Sequence, residues 1–322
     1  MQTRRLGQSG LALSTLSLGT LTWGRDTEPE EARDIYARFA EVGGTTLDIP
    51  SSYRPEAIAT RGETIATVIA DGPLKDPLMV LHSIDPTPSV KTRSVAPTVS
   101  APCSRRSLLR SLDADLTALG RRNVDVWVVH GPRLGVPYRE VADTLLAAVE
   151  SGRVTYVGLA GMDPWDYGCI SALLAGTSAP VRVIASPLSL LRATPTTQLL
   201  SHCLEQGAGF IALAPLAGGA LTGKYRHSTP PDSRAASAHL GEMVSGYLGA
   251  DQSRVIEAVS RVAEGLGISP AAVSVSWALA QQPVATCAIG PRTLPQFDSI
   301  LDGYETRLPR ELREALTDVA VP

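Results

Sequence analysis

Five side chains that can exchange a proton follow three apolar runs of the chain. Asp48 and Tyr53 lie at and just after the end of the run TTLDIP, and His130 ends the run VDVWVVH. His82 and Asp85 belong to a third run, MVLHSID. A carboxylate, a phenol and an imidazole are among the groups that general acid–base catalysis uses near neutral pH. If the runs are strands of one barrel, Asp48, Tyr53 and His130 converge at its carboxyl-terminal mouth.

Composition limits the class of protein. Hydrophobic residues make up 44% of the 322 residues, which is enough for a large core, and the net charge of -3 argues against a nucleic-acid surface. No apolar run approaches the length of a membrane span, and the first residues lack the apolar stretch of a signal peptide. We therefore expect a cytoplasmic protein that acts on a small molecule. Its cysteines are far apart and predict neither a metal site nor a disulfide framework: Cys103, Cys169, Cys203 and Cys287.

Short apolar runs alternate with helical patterns along the chain, which is typical of a parallel α/β fold. Runs such as VDVWVV and RVIA are apolar on both faces, as in strands that are covered on both sides. Eight strands are predicted, at residues 16–19, 45–48, 79–83, 125–130, 154–160, 181–186, 210–214 and 285–290. Eight strands with helices between them predict a (β/α)8 TIM barrel, taken as one domain over residues 1–322.

The helices have readable ends. Thr27 and Glu30 form a capping-box pattern that opens the first helix, which is expected to end near Val42. The other predicted helices cover residues 61–70, 104–119, 138–151, 164–175, 196–206, 251–266 and 269–281, with a last one from about residue 309. Two long loops are predicted. Residues 86–102, rich in Pro, Ser, Thr and Val, follow the third strand, and residues 217–250, with GG, PP and small residues, follow the seventh. In a barrel these loops lie at the edge where ligands bind.

Several motifs, in order and at matching spacing, resemble the aldo-keto reductase superfamily over nearly the whole chain. RRLGQSGLALSTLSLGT resembles the β-hairpin that caps the barrel, and TTLDIPSSY and VDVWVVHGP resemble the second and fourth strands. LAPLAGGALTGKY and GPRTLPQF resemble the loops after the seventh and eighth strands. The resemblance implies that Asp48, Tyr53 and His130 are three of the four catalytic residues, and that a reduced nicotinamide cofactor supplies hydride.

The resemblance also implies roles for residues outside the acid–base set. The loops after strands 7 and 8 hold the diphosphate and the 2′-phosphate of NADPH in the family. The residues that match there, with the glycine at the end of the first strand, are Gly19, Lys224, Arg292 and Gln296. Trp23 matches an aromatic residue that contacts the substrate.

The chain departs from the family pattern at the catalytic lysine. In the family this lysine pairs with the aspartate and lowers the pKa of the tyrosine, and it falls on Ile84 here. His82 is close in sequence but, by strand alternation, is expected to point outward. Asp85 is placed to fill the space that the lysine leaves. Both residues are therefore added to the candidate catalytic set.

A second group of departures affects the nicotinamide. The positions that bind its carboxamide or stack on its ring in the family carry small or apolar residues here, as do neighbouring positions: Ala160, Gly161, Ala185, Leu188, Ala214, Ser299 and Ile300. Each lost hydrogen bond is worth about 1 kcal/mol. Weak or absent NADP(H) binding is therefore predicted.

Three functions remain open. The sequence favours a barrel that carries out cofactor-independent acid–base chemistry, such as dehydration, isomerisation or cyclisation, on a small carbonyl-containing metabolite. The alternative is an NADPH-dependent carbonyl oxidoreductase with an atypical nicotinamide site. The third is a non-catalytic barrel that serves as a partner or regulatory subunit. The sequence does not indicate the oligomeric state.

Overall fold

The computed structural model describes residues 1–50, 55–83, 103–131, 136–231, 233–237 and 240–320. Of residues 55–60, 194–197 and 243 it describes the backbone alone. Tyr53, Ile84 and Asp85 lie outside the described residues, as does the predicted loop 86–102.

Eight parallel strands close into a barrel in the order β10, β3, β4, β5, β6, β7, β8, β9. The ring closes because β10 pairs with both β3 and β9. The barrel strands are β3 (Leu16–Gly19), β4 (Thr46–Pro50), β5 (Leu78–Ser83), β6 (Val124–His130), β7 (Val154–Ala160), β8 (Val181–Pro187), β9 (Gly209–Leu213) and β10 (Val284–Ile289). The eight predicted strands match them to within two residues at each end, and the predicted (β/α)8 barrel is confirmed.

An antiparallel hairpin precedes the barrel, as the sequence predicted. It consists of β1 (Thr3–Arg5) and β2 (Ala12–Ser14). Its fully buried residues Leu6 and Leu13 pack in one cluster with inward-facing residues of the barrel, among them Val126 and Ile211. The hairpin therefore closes the amino-terminal end of the barrel and leaves the carboxyl-terminal mouth for a site.

Helices surround the barrel. They are α1 (Pro29–Glu41), α2 (Pro55–Asp71), α3 (Arg105–Ala118), α4 (Tyr138–Glu150), α5 (Pro164–Leu174), α6 (Thr194–Gln206), α7 (Gly241–Ser245), α8 (Ala250–Leu266), α9 (Pro270–Leu279), α10 (Leu294–Leu301) and α11 (Arg310–Val319). In the described part of the chain no single helix is long and apolar enough to cross a membrane, although α8 and α9, bent by 100°, pass that test of length and composition together.

The start of α1 differs from its prediction. The N-cap is Glu28, and its side chain makes no capping bond. The Thr27 hydroxyl group instead forms a hydrogen bond with the Thr22 hydroxyl group, at 2.8 Å. The predicted capping box is therefore wrong, because the Thr27 side chain bonds within the loop after β3 and does not cap the helix.

The segment after β9 is more ordered than a long irregular loop. Two 3-10 helices, Ala217–Thr222 and Arg234–Ala236, precede α7, and the first of them contacts α8 and α9. The segment thus folds back over the barrel rim and positions its charged residues there.

Candidate active site and cofactor cleft

Strand alternation places the acid–base residues inside the barrel. Val80 and Val128 belong to the cluster that fills the barrel interior. Residues two apart on a strand share a face, so His82 and His130 point inward as well. Asp48 lies on β4, next to β5. The expectation that alternation turns His82 outward is wrong, because Val80 fixes the inward face of β5.

The three side chains form a hydrogen-bonded row. His82 Nε2 lies 2.9 Å from Asp48 Oδ2, and His82 Nδ1 lies 3.1 Å from His130 Nε2. The two imidazole rings meet edge to face, with centroids 5.3 Å apart. His82 is 2% exposed and Asp48 8%, whereas His130 is only partly buried. The row therefore leads from the interior towards the mouth, and His130 is its outer member.

Burial and the neighbouring His82 ring lower the pKa of His130 to about 3. Desolvation is the larger cause, since removing water disfavours the charged imidazolium. The Cys103 thiol donates to the backbone carbonyls of His130 and Gly131 and holds this strand end in place. His130 is therefore a neutral imidazole at neutral pH and can act as a donor or an acceptor.

The lowered pKa of His130 predicts acid sensitivity of the fold. The pKa lies below the value of about 6.5 for an unfolded histidine. Between pH 3 and 6.5 the unfolded chain therefore binds more protons, and the stability present above that range is lost as the pH falls. We expect the wild type to lose up to about 1 kcal/mol per pH unit more than His130→Gln, measured by urea unfolding. Parallel curves for the two proteins would contradict this assignment.

A second feature, a cleft of about 340 Å³, lies over the carboxyl ends of β9 and β10. This volume falls in the usual range for small-molecule sites, about 300–1,000 Å³. Its wall consists mostly of apolar residues and glycines, with a few uncharged polar side chains and three cations: Ala214, Pro215, Leu216, Gly218, Gly219, Thr222, Lys224, Arg234, Ala271, Ala288, Ile289, Gly290, Pro291, Arg292, Pro295, Gln296, Ser299 and Ile300.

The cations of the cleft are Lys224, Arg234 and Arg292. Arg234 Nη2 donates to the carbonyl oxygen of Gly290 at 2.5 Å, and its pKa is lowered by burial and then by Arg292. In the part of the chain that the structure describes, neither Lys224 nor Arg234 has a carboxylate within 4.0 Å. Besides burial, Arg292 lowers the pKa of Arg234 by charge repulsion, and the opposing effect of the Asp26 carboxylate is smaller, so this positive charge favours binding of an anion.

The amino terminus of α10 borders the cleft. Thr293 is its N-cap, and its side chain accepts from the backbone N–H of Gln296. The Gln296 side chain accepts in turn from the backbone N–H of Arg292, at 3.0 Å. Glu31 accepts the N–H of Leu294, and Pro295 has no N–H. The first turn of α10 therefore leaves no N–H for a ligand, and the positive charge of the cleft comes from its side chains.

Gly19 joins the two features. It pairs in register with Asp48, and a Cβ atom at Gly19 would lie 3.0 Å from the carbonyl oxygen of Ile289. A Cβ atom at Gly290 would in turn meet Arg234 Nη2 at 2.8 Å. Gly19 does not line the cleft itself, but its lack of a side chain lets β3 and β10 approach closely there.

The remaining residues of the predicted site lie in different parts of the structure. Lys224, Arg292 and Gln296 line the cleft as expected. Trp23, predicted to contact substrate, is fully buried against Tyr36, so this conformation places it in the core. Tyr53 and Asp85 fall outside the described residues, and their roles stay predictions. Among the residues that are described, no cluster of histidine, cysteine and carboxylate side chains could hold a metal ion.

Arg234 is the cleft residue that the sequence reasoning missed. It lies in the segment PPDSRAASA, which was interpreted only as a loop. The available signal was an arginine in a stretch of small residues after the motif LTGKY. Nothing in the sequence indicates its contact with Gly290, which is 56 residues away along the chain.

Comparison with known proteins gives the family. Residues 15–320 match the sequence model of the Aldo/keto reductase family. L-glyceraldehyde 3-phosphate reductase of Escherichia coli (strain K12) is 30% identical over 310 residues, covering 92% of this chain and 86% of that protein. The uncharacterized oxidoreductase YrpG of Bacillus subtilis (strain 168) is 26% identical over 326 residues, covering 99% and 96%. A putative voltage-gated potassium channel subunit beta of Schizosaccharomyces pombe is 26% identical over 296 residues, covering 89% and 83%.

The chain therefore belongs to the aldo/keto reductase family. Its relatives include proteins named as a reductase and an oxidoreductase, and reductases of this family typically depend on NADP(H). The expectation that the protein works without a cofactor is wrong. That expectation was based on the small side chains around the nicotinamide position and underestimated the contribution of the cations of the cleft.

Proposed function

We propose that the protein is an NADP(H)-dependent reductase of a small carbonyl compound. The observation that carries the proposal is the position of a cationic cleft and an acid–base row at one edge of the barrel. Gly19 connects them, because it pairs with Asp48 and approaches the end of β10. An enzyme that joins a phosphate-bearing cofactor to proton chemistry needs these two sites side by side.

The residues of the cleft fit the phosphate-bearing part of NADP(H). Lys224 and Arg234 have no carboxylate partner among the described residues, and two anionic phosphate groups would satisfy them. Arg292 lines the same cleft, where its guanidinium would meet a further phosphate group. This arrangement favours NADPH over NADH, which lacks the 2′-phosphate.

When bound, NADPH supplies a hydride equivalent to the carbonyl carbon. The chain supplies the rest. His130, at the outer end of the row, is placed to hold a proton near the mouth, and Asp48 keeps His82 oriented by accepting its Nε2–H. The low exposure of Asp48 and His82 excludes water from the inner part of the row. Such exclusion strengthens each electrostatic contact.

We infer that the site is a divergent form of the family pattern. The described residue that pairs with Asp48 is His82 rather than a lysine, and Ile84 follows it in the sequence. Ala160 and Ala185 are fully buried and carry no polar side chain for a carboxamide. Other groups must therefore orient the nicotinamide in this protein.

The proposed substrates are small aldehydes. One relative is named for the reduction of L-glyceraldehyde 3-phosphate, and the carboxyl-terminal mouth is the usual place for a substrate of a barrel enzyme. The test is NADPH consumption with glyceraldehyde 3-phosphate, methylglyoxal and benzaldehyde, with the alcohol product identified by mass spectrometry. We expect aldehyde-dependent turnover with NADPH, and at least about tenfold less with NADH. No alcohol from any of the three would count against a reductase and favour a non-catalytic barrel.

A further inference from the structure

His82 is the middle member of the row, and both of its ring nitrogens are engaged. Nε2 faces the Asp48 carboxylate and Nδ1 faces Nε2 of His130. At 2% exposure His82 has almost no contact with bulk water. The group that pairs with the buried aspartate is thus an imidazole, which changes charge near neutral pH, whereas a lysine ammonium keeps its charge there.

The hydrogen bonds allow two proton states of the row. A carboxylate can only accept, so His82 Nε2 carries a hydrogen atom in both. In the first state His82 is neutral, its Nδ1 accepts from His130 Nε2–H, and His130 Nδ1 is bare. In the second state His82 is a cation, its Nδ1–H donates to His130 Nε2, and His130 Nδ1 carries a hydrogen atom. One added proton therefore converts the outer nitrogen of the row from an acceptor to a donor.

The outer nitrogen of the row lies beside Gly161, the residue that follows β7. A Cβ atom at Gly161 would lie 3.6 Å from His130 Nδ1, and Gly161 itself is exposed. Because glycine has no side chain, residue 161 places no side-chain atom against Nδ1. This is the side from which a substrate carbonyl oxygen would approach.

We propose that Asp48, His82 and His130 form a proton relay that delivers the proton of carbonyl reduction, with His82 in the place of a permanent cation. The inference deepens the proposed function and rests on it. It makes His130 the group that touches the substrate oxygen, and His82 a positioning and relay residue behind it.

The reaction balances without any further reagent. The hydride that NADPH would supply in the proposed function carries both electrons of the new C–H bond, while the carbonyl π bond breaks and its electron pair moves to the oxygen. The oxygen takes the Nδ1 proton of His130, and His130 Nε2 takes the Nδ1 proton of His82. His82 ends neutral, with Nε2–H still donated to Asp48. Solvent then restores one proton to the row before the next turnover.

The neighbours of His82 determine where an added charge would lie in the row. The titratable groups that face His82 in the described part of the chain are Asp48 on β4 and His130 on β6, with the Cys103 thiol behind His130 at the backbone. Burial lowers the pKa of His130, so that ring stays neutral. His82 Nε2 lies 2.9 Å from Asp48 Oδ2, so the carboxylate directly faces the His82 ring.

The test is the pH dependence of hydride transfer, followed by the loss of NADPH fluorescence in single turnovers with benzaldehyde. Because the protonated row is the active one, the wild-type rate should be high at low pH and fall as the pH rises through the titration of an imidazole. In His82→Lys the fall should move upward by at least about one pH unit, since an ammonium ordinarily titrates near 10.4 and an imidazole near 6.5. His82→Gln can form hydrogen bonds but carries no extra proton, so it should lose about a hundredfold in rate at low pH.

The outcomes separate the relay from the proposed function. If the wild type transfers no hydride to any aldehyde, the proposed function itself fails. If the wild type is active and His82→Gln keeps its rate and pH profile, the relay is refuted. A slow His82→Gln that retains the wild-type fall with pH would also refute it, because His82 would then be structural only. Should His82→Lys fail to fold, as judged by circular dichroism, the glutamine variant still decides.

Discussion

Asp48→Asn is expected to lower the rate of NADPH-dependent carbonyl reduction by about a hundredfold or more, with little change in KM. Asparagine keeps the shape of the side chain and can still accept the Nε2–H of His82. It removes the negative charge that lies 2.9 Å from that nitrogen. Attraction between opposite charges at such a distance is worth a few kcal/mol even at the effective dielectric of a protein surface. The protonated state of the row would therefore become rare.

Asp125→Asn is the matched control. Asp125 lies on β6, two strands from Asp48, where its carboxylate accepts from the backbone N–H of Met79 at 2.8 Å, a bond that an asparagine oxygen can keep. This control should retain wild-type kcat. Steady-state kinetics of both variants, with circular dichroism to verify folding, make the comparison. Equal turnover of Asp48→Asn and the wild type would remove Asp48 from the mechanism.

Arg234→Met should raise the Kd for NADPH by roughly tenfold to a hundredfold. A hydrogen bond to a charged group is worth about 1.5–3 kcal/mol, and each factor of ten in Kd corresponds to about 1.4 kcal/mol. The folded protein gains little from this charge, because burial and Arg292 lower the pKa of Arg234. The free energy of unfolding should therefore change by less than about 1 kcal/mol, so the main effect of the substitution should be weaker binding of NADPH.

Arg310→Met serves as the control for Arg234. Arg310 lies on α11, where it pairs with Glu314 on an exposed surface. Calorimetric titration with NADPH should give a wild-type Kd for this variant. High salt should weaken binding to the wild type more than to Arg234→Met, since fewer charges remain to be screened. An unchanged Kd for Arg234→Met would exclude it from the cofactor site.

The barrel was predictable because of the way parallel strands are buried. A strand covered on both faces must be apolar along its length, and runs such as that of β6 are easy to find. Short helices span too few residues to show a repeating pattern, as with α7 and α10, which have five and eight residues. The helices α7 and α10 were missed for this reason, and the segment after β9 was interpreted as a loop. Thr27 was assigned as a cap because the sequence cannot show that Thr22 uses its hydroxyl group.

The site was predictable only in part. Asp48 and His130 stand at strand ends, and their types and positions indicate chemistry. The role of His82 depends on which face of β5 is inward, and one shift along the strand would reverse it. Arg234 reaches the cleft through a contact with Gly290 that only the fold creates. Small side chains at positions 160 and 185 indicate a missing cofactor, whereas the proposed cofactor site is based on cations elsewhere in the chain.

Transfer of hydride from NADPH to an aldehyde is tested most directly with a labelled hydrogen atom. The protein is incubated with benzaldehyde and NADPH that carries deuterium at the transferable position of the nicotinamide ring, and the alcohol is analysed by mass spectrometry. We expect the wild type to form benzyl alcohol with one deuterium at the carbinol carbon. Asp48→Asn should form the same product about a hundredfold more slowly. Alcohol without deuterium, or no alcohol at NADPH concentrations that saturate binding, would contradict hydride transfer from NADPH.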